Sequence, residues 1–321
     1  MSIISHLPKW LKKPYCCLRT FLWNLRDGFR FSVKGLSKEF ASLTNSVQGL
    51  QEAQNRRRLD DDLLIETIMY EIPNSPVKRP KIRTAEQTIN ELLGANKSIA
   101  RFGDGEIIVA DGCGIPFQRA DETLARRLRE ILAKPPKDLL IAINRRYYYP
   151  NIFESVIKQT NPIYKEFDLY AVPKLRRQLD KYINLDFVYY EAGGLAGWFE
   201  AFREFFTGKK LVLVGCKEAF EGYEFNIFDT AAQLCYEFVP NKHAFSEYEG
   251  ILTRLKAYGA DFVHILMCGP TACVLAADLC ADGRRALDLG HLAKSYDWHK
   301  RGINLNDNDR QNAVKFFAPD E

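Results

Sequence analysis

The stretch Ser98-Ile99-Ala100-Arg101-Phe102-Gly103-Asp104-Gly105-Glu106 carries the residue types best able to do chemistry. An apolar run ends in a turn with two glycines and two acids, and a second apolar run follows. Glycines let the backbone bend tightly and come close to a ligand. In an extended segment Asp104 and Glu106, two positions apart, project their carboxylates to one side. Oxygen ligands of this kind suit a hard cation, Mn2+ or Mg2+, which keeps waters and completes its shell on substrate phosphates. Arg101 adds a permanent positive charge suited to a diphosphate. The spacing is neither a dinucleotide fingerprint nor a phosphate P-loop, because the glycine and lysine positions those need are absent. Taken alone, an acidic glycine turn is equally compatible with a solvated loop.

The elements around this turn alternate. Short apolar runs at Ser98–Phe102, Leu139–Ile143, Leu211–Val214, Phe262–Met267 and Ala286–Leu289 read as buried strands. Helix-like segments lie between them at Asp121–Ala133, Leu195–Phe206, Phe245–Tyr258 and Thr271–Ala281. Such alternation predicts an α/β domain with a mainly parallel sheet and flanking helices. Ligands of open sheets of this kind sit at the carboxyl ends of strands, which is where the acidic turn falls.

Residues 1–75 differ from the rest, and the expected division is a helical arm over 1–75 and a catalytic domain over 76–321. Leu36, Phe40, Leu43, Val47 and Leu50 fall on one helical stripe that extends back through Leu18, Leu22, Leu25, Phe29 and Val33. The stripe serves a homo-oligomer or a docked helix equally well. Trp10, Phe21 and Trp23 with Lys12, Lys13, Arg19, Arg26 and Arg30 form a basic aromatic segment that suits an anionic membrane surface. Pro73, Pro76 and Pro80 mark a linker.

Composition narrows the classes further. A formal net charge of only +4 argues against nucleic acid as partner. The eight cysteines form no C-x-x-C pair, so neither a zinc cage nor a disulfide framework fits, and scattered thiols suit a reducing cytoplasm. No stretch reaches the roughly 20 apolar residues of a membrane span. Tyr15 to Leu25 is broken by Arg19, so no cleaved leader is expected.

Several ordered blocks resemble the GT-D glycosyltransferases, a family first catalogued as a domain of unknown function in bacterial surface-glycan loci. Arg101–Glu106 looks like its D-x-E signature, followed by Ile115-Pro116-Phe117-Gln118 and then by Asp121 and Leu124 at a helix start. Pro240-Asn241-Lys242-His243-Ala244-Phe245 is similar to its P-x-x-N-A-F turn. Gly269-Pro270-Thr271-Ala272 with Val274-Leu275-Ala276 and Asp278-Leu279 matches its G-P-T-A-x-V-L-A-x-D-L block. Ala286–His291 resembles A-x-D-I-G-H, and Tyr296-Asp297-Trp298 resembles Y-E-W. The likeness covers about residues 85–300. The chain departs from the pattern after Leu211–Val214, where an arginine and a glycine are missing although Asn226 and Phe228 survive. Leu292, Ala293, Lys294 and Ser295 also replace acids usual after the G-H.

The resemblance implies a Rossmann-like fold and transfer of a sugar from a nucleotide donor such as UDP-glucose to a glycan, glycoprotein or lipid-linked acceptor. It implies Mn2+ or Mg2+ at Asp104 and Glu106, with donor contacts from Arg101, Gly103, Gly105, Gln118, Asn226, Gly269 and Thr271. A metal there would neutralise the leaving diphosphate, and backbone N–H groups at the Gly269-Pro270-Thr271 helix start suit a phosphate. Asp288 and His291 are the expected catalytic pair, Asp288 as a proton acceptor. The rival readings are a metal-dependent phosphohydrolase of nucleotide or sugar phosphates and a non-catalytic scaffold. The expected location is cytoplasmic, peripheral at the inner membrane face.

Overall fold

The structure is a computed structural model that describes residues 41–47, 80–144, 147–148, 171–190 and 196–302. The chain divides into two compact units, Met1–Leu64 and Ile65–Glu321. In the first, residues 41–47 are helical, as the apolar stripe predicts, and Leu43 is exposed. The basic aromatic segment, the remainder of the stripe, Pro73 and Pro76 lie outside the described residues.

The second unit is built on one eight-stranded sheet. Its strands are β1 (Lys81–Ile82), β2 (Ser98–Phe102), β3 (Leu139–Ile143), β4 (Phe187–Tyr190), β5 (Lys210–Gly215), β6 (Gln233–Phe238), β7 (Phe262–Met267) and β8 (Arg285–Asp288). Their order is β1-β4-β3-β2-β8-β7-β5-β6, and every neighbouring pair is parallel. The five expected strands are present within a residue or two. Strands β1, β4 and β6 were not anticipated. The two-residue β1 is too short to show a period, β4 is only four residues of Phe-Val-Tyr-Tyr, and β6 mixes polar and aromatic residues because it is an edge strand, where burial is partial.

Helices cover both faces, which is why the central strands read as continuous apolar runs. On the front lie α2 (Asp104–Ala110), α3 (Glu122–Ala133), α4 (Val172–Asp180), α6 (Tyr248–Lys256) and α7 (Pro270–Ala281). They pack on Ala100, Phe102, Ile141, Ile143, Val212, Val214 and Leu266. On the back lie α1 (Ala85–Gly94), α5 (Ala196–Phe206) and α8 (Leu292–Lys300), against Ile99, Leu140, Ala142, Leu211, Leu213, Ile265 and Leu287. The two sets alternate along each strand with period two. The long expected helix Phe245–Tyr258 resolves into a 3-10 turn at Ala244–Glu247 followed by α6.

Local signals set the helix ends. Thr84 and Gln87 form a capping box on α1: the Gln87 N–H donates to Thr84 Oγ1 at 3.2 Å, and the Thr84 N–H donates to Gln87 Oε1 at 3.0 Å. Asp121 caps α3 by accepting the Leu124 N–H at 3.0 Å. Arg285 closes the other end of α1. It donates to the carbonyls of Leu92 (2.5 Å), Ala95 (3.1 Å) and Lys97 (3.1 Å), and its guanidinium lies 4.4 Å from the Phe205 ring centroid. Burial lowers its pKa to about 10.

Arg285→Met should therefore destabilise the protein by about 3 kcal/mol, because it leaves carbonyls unpaired and removes a cation–π contact. Urea unfolding checks this, and a loss below about 1 kcal/mol would mean that water replaces the guanidinium.

Candidate active site

The chain leaves adjacent strands β2 and β8 toward opposite faces. After β2 it turns to the front helices α2 and α3, and after β8 it turns to the back helix α8. This divergence is the topological switch point of the sheet, and it opens a crevice at the carboxyl ends of the two strands. Arg101, Asp104, Glu106, Asp288 and His291 all belong to the segments that border it.

The acidic turn departs from the extended geometry expected of it. Gly103 is the N-cap of α2, Asp104 its first residue and Glu106 its third. Residues two apart on a helix are about 200° apart around the axis, so the two carboxylates do not project side by side. The apolar run Ile107–Ala110 buries three side chains in the front core, and this draws the preceding turn into the helix. Glu106 folds back so that its Oε2 accepts the Gly103 N–H at 3.0 Å. With glycine at the cap, this is the backbone-capping half of a capping box. Asp104 remains exposed on the first turn, where the helix dipole favours an anion. Gly105 serves packing: a Cβ there would stand 3.2 Å from Ile115 Cδ1.

Asp288 joins β2 to β8. It is 5% exposed. Its Oδ2 accepts the Arg101 N–H at 3.1 Å, and its Oδ1 accepts the Gly290 N–H at 3.3 Å. Behind it the buried Cys273 thiol donates to the Arg101 carbonyl at 3.0 Å and lies 3.5 Å from Asp288 Oδ2. Burial, then the charges of Asp288 and Glu106, push the Cys273 thiol well above its ordinary pKa, so it stays protonated. Gly290 has φ +57°, and a Cβ on it would lie 1.8 Å from Arg101 Nη1. The Arg101 guanidinium thus rests directly on the Gly290 backbone.

His291 follows as the N-cap of α8. Burial of the ring, then the cations of Arg101 and Lys294, hold its pKa down to about 4. The residue as a whole stays exposed at the crevice mouth, so solvent screens part of that effect.

The other expected contacts are held by hydrogen bonds of their own or by burial. Gln118 is buried, and its Nε2 donates to the Arg119 carbonyl at 3.0 Å. Its turn docks on His243, which has φ +59°. The His243 N–H donates to the Phe117 carbonyl at 2.7 Å, and the Arg119 N–H donates to His243 Nδ1 at 3.0 Å. Asn226 is exposed and caps its own loop by accepting the Phe228 N–H at 2.9 Å. That loop is held by the buried Asp297, whose Oδ1 accepts the N–H groups of Glu224 (2.9 Å) and Phe225 (3.0 Å). Gly269 takes a conformation open to glycine, φ +59° and ψ −148°, at the start of α7. Thr271 is wholly buried and its hydroxyl has no hydrogen-bond partner among the described residues.

Among the described residues no group of three His, Cys, Asp or Glu side chains is arranged to hold a metal. The donors available at the crevice are the exposed Asp104 carboxylate and Glu106, one of whose oxygens is engaged by Gly103. Such a set fits a hard cation that takes most of its shell from water and substrate phosphates, and it does not fit an all-protein cage. Cys273 and Gly290 were not among the expected site residues, because a thiol in an apolar helix reads as core and a glycine after a strand reads as a turn.

Comparison with known proteins agrees with this fold. A family model described as the glycosyltransferase GT-D fold matches residues 99–313. The chain is 27% identical over 286 residues to a protein named "Probable glycosyl transferase Gly" from Streptococcus gordonii, covering 85% of this chain and 41% of that one. It is 25% identical over 277 residues to glycosyltransferase GlyD of Streptococcus pneumoniae, covering 80% of this chain and 32% of that one. It thus spans less than half the length of either relative. A solved structure described as a highly conserved domain of unknown function with a distinct glycosyltransferase fold is 27% identical, with a TM-score of 0.62 over 70% of this chain and 82% of that one. A glycosyltransferase structure from Streptococcus sanguinis aligns at 24% identity and a TM-score of 0.61, over 70% of this chain and 86% of that one, and shares the fold.

Gly290→Ala should displace Arg101 and strain the turn, costing about 1–3 kcal/mol in urea unfolding. A melting curve identical to wild type would show that the guanidinium swings away freely. Stability should also fall with acid. The pKa values of His291 and buried His264 are both depressed when folded, so the unfolded chain binds more protons between about pH 6.5 and 4. Stability is then complete above pH 6.5 and falls as pH drops toward 4. His291→Asn should flatten part of that slope in urea titrations at stepped pH, and an unchanged slope would remove His291 from the account.

Proposed function

The chain belongs to the glycosyltransferase GT-D family, and from that premise we propose that it transfers a sugar from a nucleotide-sugar donor, UDP-glucose or similar, to a glycan, glycoprotein or lipid-linked acceptor. The observation that carries this reading is the meeting of Arg101, Asp104, Glu106 and the Asp288-Leu289-Gly290-His291 turn at the switch point. The Arg101 cation beside the exposed Asp104 carboxylate suits a metal-bound diphosphate, which leaves only when its developing charge is neutralised.

Each residue then has a distinct task. Arg101, held against Gly290, offers a fixed guanidinium to the diphosphate. Asp104, assisted by Glu106, would hold Mn2+ or Mg2+ beside it, and the ion when bound supplies Lewis-acid charge neutralisation. His291 is neutral at pH 7, so its ring can accept a hydrogen bond from the acceptor hydroxyl and take its proton as the glycosidic bond forms. Asp288 is nearly buried with both oxygens engaged, and it acts as a positioning residue that keeps Arg101 and Gly290 in place. Gly269 and the start of α7 border the same edge and suit donor phosphate through backbone N–H groups. Lys294, near His291, adds positive charge where the family pattern has acids. No helix among the described residues is long and apolar enough to cross a membrane. Placement at the inner membrane face rests on the basic aromatic spacing of residues 9–30.

Purified protein with Mn2+ and UDP-glucose should release UDP, and an added acceptor should give a glycosylated product. Asp104→Asn should lower turnover by at least about 10²-fold, and EDTA should abolish wild-type activity. Turnover that survives both in full would remove the metal from the mechanism. Release of UMP and glucose 1-phosphate from UDP-glucose, or of inorganic phosphate from UDP, with no acceptor-dependent product from any glycan tested would favour a phosphohydrolase.

A further inference from the structure

The sheet edge beyond the crevice carries an aromatic row that the donor site does not use. Tyr236 and Phe238 are 43% and 50% exposed, although both stand in a strand. They share one face of β6 with Leu234, which packs toward the back core. Their rings are nearly parallel, 23° between planes, with centroids 5.9 Å apart. Phe220 completes the row with its centroid 5.7 Å from Tyr236, edge-on. It reaches over the end of β5, where a Cβ on Gly215 would lie 3.1 Å from its ring.

This face of β6 presents no charge. Glu237 points to the other face, where Arg254 and Tyr258 bind its carboxylate at 2.9 Å each. An exposed aromatic cluster on a folded domain marks a binding surface more often than chance. We propose that Phe220, Tyr236 and Phe238 form a shelf for the neutral sugar chain of an acceptor glycan. The proposal rests on the transferase reading of the crevice.

Three observations select a carbohydrate. The first is position: Phe238 ends β6 at the same carboxyl edge as the crevice. In the order β8-β7-β5-β6 the shelf is three strand spacings from Asp288, about 14 Å. A glycan of two or three sugars spans that distance and places its terminal hydroxyl at the crevice. The second is chemistry. The C–H faces of a sugar pack on aromatic faces, while the Tyr236 hydroxyl and water serve its hydroxyls. The third is spacing, since rings repeating at 5.9 Å match successive hexoses along a chain.

The test uses the full chain with cellotriose, maltotriose and chitotriose as probes, and saturation-transfer NMR as readout. Wild type should bind at least one of them. Tyr236→Ala and Phe238→Ala should each weaken binding by about 5-fold, and Phe238→Trp should retain it. Melting curves should stay near wild type, because both side chains are largely exposed. Undiminished binding by the double variant, or no binding of any probe to wild type, overturns the shelf. A wild-type dimer that the double variant loses in sedimentation would assign the row to self-association and also overturn it. Hydrolysis of UDP-glucose without acceptor reports the donor site alone. Its absence in a protein that binds trisaccharide would overturn the transferase reading while leaving the shelf in place.

Discussion

A carboxylate taken out of water beside a sheet costs several kcal/mol unless protein donors replace the lost hydration. Asp288 has those donors: two backbone N–H groups and a neighbouring thiol. The arrangement ties the last residues of β2 to the turn after β8 at the point where the chain departs to opposite faces. It fixes the Arg101 backbone, and Gly290 in turn fixes the guanidinium. These hydrogen bonds hold the carboxyl ends of the two strands together.

The same device recurs around the rim. Asp297 is fully buried and holds the loop at Glu224 and Phe225, and it also accepts from Arg301 Nη1 at 3.2 Å. His243 accepts a left-handed backbone and receives the 117–119 turn through two hydrogen bonds. Asp278 accepts from Arg127 at 2.6 Å and from the Tyr248 hydroxyl, binding α7 to α3 and α6. Polar residues spaced far apart in the chain thus act as latches between loops. Several of the blocks that carry the family likeness place polar residues in this role. The side chains of Gln118 and Asn226 likewise bond within local turns.

Burial accounts for how the sheet was read. Strands β2, β3, β5 and β7 are covered on both faces, so their apolar runs are unbroken and legible. β6 shows the reverse. As an edge strand it leaves Tyr236 and Phe238 to solvent and gives Glu237 partners from α6, and the mixture hides its period. The acidic turn failed for a related reason. Spacing alone does not distinguish an extended segment from the first turn of a helix, and the burial of Ile107, Val109 and Ala110 decides for the helix.

By itself the sequence determined the α/β class, the parallel character of the central strands and the family, and it singled out residues 101–106 and 288–291 as the candidate site. Each of these is a local signal of period, composition or motif. Only the tertiary structure decided which side chains meet. The order of eight strands sets β2 beside β8, although the two are separated by most of the domain in sequence. That adjacency makes Asp288 a brace and adds the Arg101 cation to the burial that depresses the His291 ring. These are long-range contacts, governed by packing across the sheet, and no spacing along the chain encodes them.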